Sequence, residues 1–548
     1  MTLPKLSAKN IYVIFMLLVM VALLSYRASF HAVLGAVGVL SVIFGFFQLS
    51  GRFFGAFNAT FIVTVVLIIL NEFKRFFWKD RLQFSDFEVF LDPNNFETVF
   101  HYPAAAILAF IFALILAAGF VWGFIRQQKV VSWKVRGIIF INTLVLGSAC
   151  AYYAMLFGQA AWLKTLPKGN NVISNVLFSS HIQFENPGDK LDLAGAVPFE
   201  VDAVKPVAKS AEKPDVVLLL QESTVNPQLF GDIAQNSLPA MEMFDSRFAD
   251  AKGLLRVYTY GGATWKSEFA TLTGLSSADF KPLDGAVFYQ AVFHVQDSLF
   301  KRAKAAGYKV VVITPFTEGA YNSGKAYRAL GADEIIHLTE LGYPGEGRRN
   351  IWTVKSAELM PMIRKYLEAQ TQPTFVYSLT MNEHGPYPAE DEKGMALKAA
   401  DKVKVSQDAL YSYENYIARL VEASNAITEF ESWVDQREKA TIFMRFGDHQ
   451  PSIKKHAPYR TDVSSGEYLT FFSLQNNKKD AIAEKHKVTD IVFLSGMLLE
   501  EMNLPLTPFY AANVTMRKKA DGLYMDAEDK TLLKSYQNHI FNSIKNVK

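Results

Sequence analysis

A chain of 548 residues is too long for a single domain, and half of its residues are apolar, which is enough to bury a large core. The net charge is only +3, with both signs spread along the chain, and this excludes a nucleic-acid surface built from basic residues. The single cysteine, Cys150, excludes an intramolecular disulfide, a thiolate metal site and a redox pair.

The apolar residues are concentrated at the front of the chain, in five runs near the length of about 20 residues that spans a bilayer. The runs are 11–26, 32–50, 53–71, 102–125 and 137–157. No small-residue cleavage site follows the first run, so we expect it to remain as a helix rather than act as a signal peptide. We therefore predict a transmembrane domain with five helices over residues 1–157.

Short basic segments set the predicted orientation of these helices. The residues assigned to the cytoplasmic side are Lys5, Lys9, Arg52, Arg126, Lys129, Lys134 and Arg136. Five crossings then place everything after about residue 158 on the extracytoplasmic or periplasmic face of the cytoplasmic (inner) membrane. The segment 71–101 mixes basic, acidic and aromatic residues, and we expect it to lie in the headgroup layer.

Beyond residue 158 the composition changes, and three further regions are predicted. Residues 158–213 form a juxtamembrane linker, and residues 514–548 a charged, helical C-terminal tail. Between them, over 214–513, β-rich runs alternate with helical windows near 296–306, 355–369 and 405–434, which favours an α/β domain with a largely parallel sheet. The β-rich runs are DVVLLLQ, LLRVYTY, KVVVIT, TFVYSLT, TIFMRF and YLTFFSL.

Polar residues follow four of these runs, at the carboxyl ends where ligands gather in open α/β sheets. These residues are Glu222, Thr264, His384, Asp448 and His449. Carboxylate, hydroxyl and imidazole groups are ligands for a hard or borderline divalent cation. The sequence therefore predicts a metal site that contains a nucleophile.

Thr264 is the candidate nucleophile, because a hydroxyl can be activated by a base or by a metal ion. It stands where a helix is predicted to begin, so backbone N–H groups would face an incoming phosphate, and Lys266 could also meet that anion. Gly261 and Gly262 suit a tight turn that admits a ligand. The alternative is that Thr264 serves only as the N-cap of the helix.

These motifs resemble the sulfatase-type branch of the alkaline phosphatase superfamily, and within it the lipoteichoic acid synthase-like membrane phosphoglycerol transferases. The resemblance covers nearly the whole chain, through the five apolar segments and the motifs NEFKRFFW…FSDFE, VVLLLQES, GATWKSEF and GDHQPSIKKH. It implies a five-helix transmembrane domain followed by an extracytoplasmic α/β sulfatase-like domain. A true sulfatase would need a C/S-x-P-x-R motif, which GATWKSEF does not contain.

The resemblance also implies roles for individual residues. The implied metal ligands are Glu222, Thr264, Asp448 and His449. Manganese is the preferred metal, with magnesium and zinc as alternatives. Thr264 would be the nucleophile, and His384 and His456 would contact the transferred phosphate. Tyr321 would replace a Trp that holds the head group in the family, and Ser323 stands where the family has an Arg, so the head group stays open.

The predicted function is transfer of a phospholipid head group, glycerophosphate from phosphatidylglycerol, through a phosphothreonine intermediate to a hydroxyl of a cell-envelope glycan or polymer. The predicted partners are a membrane phospholipid and this acceptor; the oligomeric state stays open. One alternative is a phosphoethanolamine transferase acting on lipid A or a glycan, although such enzymes usually hold disulfides and no cysteine follows Cys150. An alternative of another class is an inactive sulfatase-fold sensor or scaffold.

Overall fold

The computed structural model describes residues 8–26, 28–78, 81–93, 103–126, 130–165, 170–180, 184–203, 213–344, 353–388, 395–453, 455, 457–478 and 486–548. The chain divides into two compact units, Met1–Gln183 and Phe184–Lys548, and each is described by itself. The sequence had predicted four regions, with a linker over 158–213 and a tail over 514–548.

The first unit is helical. Its helices are α1 (Ala8–Ser25), α2 (Phe30–Gln48), α3 (Phe53–Trp78), α4 (Asp86–Phe90), α5 (Pro103–Ile125), α6 (Trp133–Thr165) and α7 (Val172–Ser179). Within the described residues, three stretches are long and apolar enough to cross a membrane: Phe30–Gln48, Phe53–Arg75 and Trp133–Gln159.

The five predicted spans are therefore corrected to three candidate spans. The other two predicted spans correspond to the shorter apolar stretches Ile11–Ser25 in α1 and Phe110–Ile125 in α5 among the described residues.

Small residues allow α2 and α6 to approach closely. A Cβ atom added at Gly38 would lie 2.6 Å from the Gly147 carbonyl oxygen and 2.7 Å from the Ala151 nitrogen. The reverse substitution at Gly147 would place a Cβ atom 2.8 Å from the Gly38 carbonyl oxygen. Close backbone contact of this kind is how membrane helices associate without a hydrophobic driving force between them.

The segment that follows α3 is held by a buried ion pair. Lys74 Nζ lies 2.8 Å from Asp86 Oδ2 and also donates to the Arg81 carbonyl oxygen at 2.9 Å. The Arg81 guanidinium in turn donates to the Asn170 carbonyl at 2.8 Å. These contacts hold the start of the described segment 81–93 against other parts of the first unit.

The second unit is built on one eight-stranded sheet. Its strands are β1 (Asp215–Gln221), β2 (Ala251–Arg256), β3 (Lys309–Thr314), β4 (Glu334–His337), β5 (Thr374–Leu379), β6 (Thr441–Gly447), β7 (Leu469–Asn476) and β8 (Val488–Asp490). The strand order is β4-β3-β5-β1-β6-β7-β2-β8. Strand β7 is antiparallel to both neighbours, whereas every other pairing is parallel. The sheet is thus largely parallel, as predicted, with one reversed strand.

Both faces of the sheet are covered, which is why its central strands are largely apolar, although the buried Arg445 lies within β6. In β1, Val216, Leu218 and Leu220 belong to one core cluster, and Val217 and Leu219 belong to the other. All five side chains are fully buried. The polar residues of the site are therefore confined to the ends of the strands.

Nine α-helices accompany this sheet in the described part of the unit. They are α8 (Pro187–Lys190), α9 (Thr264–Thr273), α10 (Leu299–Ala305), α11 (Ser323–Leu330), α12 (Ser356–Glu368), α13 (Gln407–Gln436), α14 (Leu494–Glu501), α15 (Pro508–Lys519) and α16 (Lys530–Asn538). The three helical windows named from the sequence correspond to α10, α12 and α13.

Residues 184–203, which we call the strap, pack against the C-terminal part of the chain. The Val197 N–H donates to Ser535 Oγ at 2.9 Å, and the Asp202 N–H donates to Thr515 Oγ1 at 3.0 Å. Tyr536 and Phe541, from the predicted tail, lie in the same core as β1. The described strap and the tail are therefore parts of the second unit in this structure.

Candidate metal centre and nucleophile

The candidate site lies where four strands end on the same edge of the sheet. Glu222 follows β1, and Asp448 and His449 follow the neighbouring strand β6. His384 comes from the loop after β5, on the other side of β1, and Thr264 is the first residue of α9, which follows β2. The topology brings together five of the residues that were singled out from the sequence.

Three of these residues form a compact cluster of ligand atoms. One ligand atom from each of Glu222, Asp448 and His449 lies within 4.8 Å of the other two. His449 Nε2 is 3.2 Å from Asp448 Oδ2 and 3.4 Å from Glu222 Oε1. All three side chains are almost completely buried.

The hydrogen bonds of His449 indicate that this cluster would accept a cation. Its Nδ1 lies 3.0 Å from the Gln450 carbonyl oxygen, an acceptor, which assigns the proton to Nδ1 and a lone pair to Nε2. His449 Nε2 and Asp448 Oδ2 are buried without a hydrogen-bond partner among the described residues. The Nε2 lone pair thus faces carboxylate oxygens of Glu222 and Asp448 at short range. A cation bound between these atoms would give all three side chains a partner.

The pKa values of the two carboxyl groups reflect this crowding. Burial, and then the negative charge of Glu222, raises the pKa of Asp448 well above its ordinary value. Burial also acts to raise the pKa of Glu222, but His449, His384 and hydrogen bonds from Ser223 and Thr264 outweigh it, and that pKa is lowered. Burial lowers the pKa of His449, which favours the neutral imidazole that a metal ion requires.

Thr264 is presented to this cluster by a turn of unusual conformation. Gly261, Gly262 and Ala263 all have positive φ, with Ala263 in the left-handed region at φ 63° and ψ 45°. Ala263 is the N-cap residue of α9, and Thr264 is already in the first helical position. The Thr264 hydroxyl donates to Glu222 Oε2 at 3.1 Å. The alternative that Thr264 is only an N-cap is therefore wrong in this structure.

His384 lies on the edge of the same cluster. Its Nδ1 is 2.5 Å from the Gly385 carbonyl oxygen, an acceptor, which assigns a proton to Nδ1. The imidazole is half-buried, and it is close enough to Glu222 to lower the pKa of that carboxyl group. The structure therefore places His384 beside the metal cluster and outside its three ligand atoms.

The remaining predicted site residues lie in other surroundings. Lys266 pairs with Asp284, with Nζ 2.8 Å from Oδ2, and both side chains are nearly nine-tenths buried. Tyr321 packs among Trp265, Phe288 and Phe316, with ring centroids 5.6–6.2 Å apart. Its backbone has a positive φ of 38°. His456 lies outside the described residues.

Several residues that support the site were not singled out as functional from the sequence. The Ser223 hydroxyl donates to Glu222 Oε1 at 2.9 Å, and its N–H donates to Asp448 Oδ1 at 2.8 Å. The Thr380 hydroxyl accepts from the Glu222 N–H at 3.1 Å, and the Ser267 hydroxyl donates to the Asp448 carbonyl at 2.6 Å. Only the adjacency of Ser223 to Glu222 offered a sequence signal for these contacts.

Glu268, one helical turn after Thr264, is a further buried acid that sequence reasoning missed. Its Oε1 accepts from the hydroxyl groups of Tyr327 at 2.5 Å and Tyr377 at 2.8 Å. Burial raises the pKa of Glu268 to about 7 against the opposing effect of these hydrogen bonds. The contacts tie α9, which carries Thr264, to α11 and β5.

Comparison of the sequence with known proteins supports this description of the fold. A family model described as Sulfatase matches residues 214–503, more than half of the chain. The chain is 32% identical over 532 residues to an uncharacterized protein of Haemophilus influenzae, covering 93% of this chain and 94% of that protein.

Two solved structures resemble the chain in fold. The Streptococcus pyogenes phosphoglycerol transferase GacH, in complex with sn-glycerol-1-phosphate, has a TM-score of 0.51 at 19% identity, over 63% of this chain and 86% of that one. The lipooligosaccharide phosphoethanolamine transferase EptA of Neisseria meningitidis, an integral membrane protein, has a TM-score of 0.51 at 14% identity, over 89% of this chain and 98% of that one.

The second unit thus has the α/β fold of the sulfatase and alkaline phosphatase type, and it is preceded by apolar helices as in EptA. Enzymes of this type use divalent metals, which agrees with the donor atoms of the cluster. The match over residues 214–503, together with the relative that is similar over nearly its whole length, shows that this chain belongs to the sulfatase family.

Proposed function

We propose that the protein is a metal-dependent transferase of phospholipid head groups, with Thr264 as the nucleophile and glycerophosphate from phosphatidylglycerol as the transferred group. The observation that carries this proposal is the 3.1 Å hydrogen bond from the Thr264 hydroxyl to Glu222, within the cluster that includes Asp448 and His449. A hydroxyl held at such a cluster, at the N-terminus of a helix, suits attack on a phosphodiester.

Glu222, Asp448 and His449 fit a divalent cation, because two of their buried polar atoms otherwise have no partner among the described residues. Oxygen and imidazole donors suit manganese, magnesium or zinc, and manganese is the metal we propose. When bound, such an ion supplies positive charge that favours the ionised hydroxyl and the anionic phosphate. Ser223 fixes both carboxylates in the orientation that this binding needs.

In the first step, Thr264 Oγ1 attacks the phosphorus of the lipid and the bond from phosphorus to the diacylglycerol oxygen breaks. Diacylglycerol leaves as an alcohol and so takes up one proton, while Thr264 gives up its hydroxyl proton. Glu222 Oε2 already accepts the hydrogen bond from Thr264 and orients its oxygen. His384 contacts the transferred phosphate from the side of β5, through the ring nitrogen Nε2, because Nδ1 already contacts the Gly385 carbonyl.

In the second step, a hydroxyl of a cell-envelope glycan or polymer attacks the phosphothreonine and restores Thr264. Two displacements replace a single difficult one, and no nucleotide is consumed. We place this reaction on the extracytoplasmic face of the inner membrane, with the lipid donor taken from the outer leaflet. Reporters fused after residue 200 and within 126–136 test this orientation: only the first should be active outside the cytoplasm, and the opposite pattern would overturn it.

The chemistry is tested by incubating the purified full chain, with manganese, with phosphatidylglycerol and phosphatidylethanolamine in separate vesicles. Mass spectrometry then measures diacylglycerol release and the mass added to the peptide that contains Thr264. We expect release from phosphatidylglycerol and an adduct of glycerophosphate mass. A phosphoethanolamine adduct would identify the alternative transferase, and metal binding without turnover of either lipid would favour the sensor or scaffold.

A further inference from the structure

The geometry points to Arg419 as a positioning residue, which holds His384 at a fixed distance from the metal ligands through one face of α13. This inference rests on the proposed function, because it assigns to Arg419 the placement of a residue that contacts the phosphate. Arg419 itself bonds backbone groups and no ligand atom of the cluster.

The Arg419 guanidinium binds three carbonyl oxygens of the loop that carries His384. Its Nη1 donates to the Asn382 carbonyl at 3.0 Å and to the His384 carbonyl at 2.8 Å, and its Nη2 donates to the Pro386 carbonyl at 3.2 Å. The guanidinium also lies 5.4 Å from the centre of the Tyr387 ring. One side chain thus fixes the backbone on both sides of His384.

A neighbouring residue of α13 holds the other side of the site. The Tyr416 hydroxyl donates to the Ser223 carbonyl at 2.8 Å and accepts from the Val225 N–H at 3.3 Å. Tyr416 is fully buried and its ring meets that of Tyr387 edge-on, with centroids 5.3 Å apart. The loop after Glu222 and the loop that contains His384 are therefore both attached to a single turn of one helix.

A helix is a rigid support, whereas the loop after β5 has no regular hydrogen-bonding pattern of its own. Since Arg419 is three residues beyond Tyr416 on the same helix, the two attachment points stay at a constant spacing. The planar guanidinium with its five N–H donors suits several carbonyl oxygens at once, which an ammonium group does not reproduce. The helix α13 thus adds a second link between His384 and Glu222, beside the bond from the Glu222 N–H to Thr380 at the start of the loop.

A double-mutant cycle on the full chain separates this role from a general effect on folding. The variants are Arg419→Met, His384→Ala and the double variant, each measured for steady-state diacylglycerol release over a range of lipid concentrations and for manganese content. We expect Arg419→Met to retain manganese and lose about tenfold or more in kcat, with a smaller change in KM. In the His384→Ala background the same substitution should have almost no further effect, because its partner is already absent.

Arg364→Met is the matched control. Arg364 forms an ion pair with Glu368 at 2.9 Å and lies 5.6 Å from the Trp433 ring, so it is a helical arginine beside an aromatic ring with no bond to the His384 loop. It should retain wild-type turnover. If Arg419→Met fails to fold, Arg419→Lys keeps the positive charge, loses part of the carbonyl contacts and completes the same cycle.

A binding measurement distinguishes failure of this inference from failure of the proposed function. Inorganic phosphate is titrated into the manganese-loaded full chain. Both His384→Ala and Arg419→Met should weaken phosphate binding, and the double variant should bind phosphate no more weakly than His384→Ala alone. If the wild type releases diacylglycerol from neither lipid, the proposed function fails and the phosphate cycle still tests Arg419. Equal losses from Arg419→Met in the wild-type and His384→Ala backgrounds would overturn the positioning role.

Discussion

Thr264 Oγ1 lies 3.1 Å from Glu222 Oε2, and this hydrogen bond joins the first turn of α9 to the end of β1 across 42 residues of sequence. The bond uses the Thr264 side chain for a contact in the cluster and leaves capping of the helix to the backbone of Ala263. A residue in this position should therefore contribute little to helix stability, and under the proposed function it contributes its hydroxyl group to the chemistry of the site.

Replacement of Thr264 by Ala should therefore abolish turnover and leave the fold intact. The variant loses one hydrogen bond, worth about 0.5–1.5 kcal/mol, and gains the better helix propensity of Ala, so the melting temperature should change little. Thr264→Ser keeps the oxygen and should retain part of the activity. Diacylglycerol release and thermal melting check both variants; release by Thr264→Ala near the wild-type rate would mean that another group is the nucleophile.

Metal binding should depend on all three members of the cluster. Glu222→Gln, Asp448→Asn and His449→Ala should each lower manganese occupancy, because the first two remove a negative charge from the cluster and the third removes its imidazole. A chelator should abolish turnover by removing the metal. Burial raises the pKa of Asp448, so protons should compete with the metal and occupancy should fall as pH falls. Elemental analysis of the purified variants measures manganese occupancy, and a variant of an exposed carboxylate, Asp245→Asn, is the control. Full activity in the presence of chelator would contradict the metal site.

Variants of Lys266 and of its partner Asp284 distinguish a structural role of the lysine from a role in substrate binding. If Lys266 only neutralises Asp284, Lys266→Met should destabilise the protein by leaving a largely buried carboxylate without this cation, and adding Asp284→Asn should restore stability and turnover. If Lys266 contacts the substrate phosphate, KM should stay high in the double variant. Thermal melting together with KM for the lipid distinguishes the two outcomes, and we expect the first.

Asp279 should make stability depend on pH. Burial raises its pKa to about 7, despite hydrogen bonds from Tyr524 at 2.7 Å and Gln537 at 2.8 Å. In the unfolded chain an Asp titrates near pH 4, so between about pH 4 and 7 the folded protein holds a proton that the unfolded chain releases. The free energy of unfolding should therefore fall as pH rises through this window, by at most ~1.4 kcal/mol per pH unit for this group, and level off above it.

The substitution Asp279→Asn removes this titration. Relative to the wild type, the variant should gain stability as pH rises from 5 to 8, which melting curves across that range measure. Asp245→Asn is again the control, because the ion pair with Lys252 lowers the pKa of that exposed carboxyl group and places its titration below the window. A constant difference between Asp279→Asn and the wild type at all pH values would contradict the proposed titration.

The strands that carry the cluster could be predicted from the sequence for a physical reason. Strands β1 and β6 are buried on both faces, so they form largely apolar runs, interrupted in β6 by the buried Arg445, and the acidic residues that follow them stand out. The antiparallel direction of β7 could not be predicted in this way, because an apolar run looks the same in a parallel and in an antiparallel strand. The short strands β4 and β8 also left no run long enough to be recognised.

The supporting residues of the site were hidden for a different reason. Arg419 bonds carbonyl oxygens, one of them 35 residues earlier in the chain, and backbone acceptors carry no signature in the side-chain sequence. An Arg on a long helix is typical of a solvent-exposed surface, so the pattern predicted nothing for it. The same holds for Thr380, whose contact is to the Glu222 backbone.

The strap has a consequence for how the second unit is completed during synthesis. Its bonds to Ser535 and Thr515 join atoms 338 and 313 residues apart, so the strap emerges from the ribosome long before the surfaces that bind it. Contacts at such separation form late and slow the final stage of folding. A nascent chain that has finished β8 would hold every strand of the sheet and still expose the strap to proteases until α15 and α16 have been made.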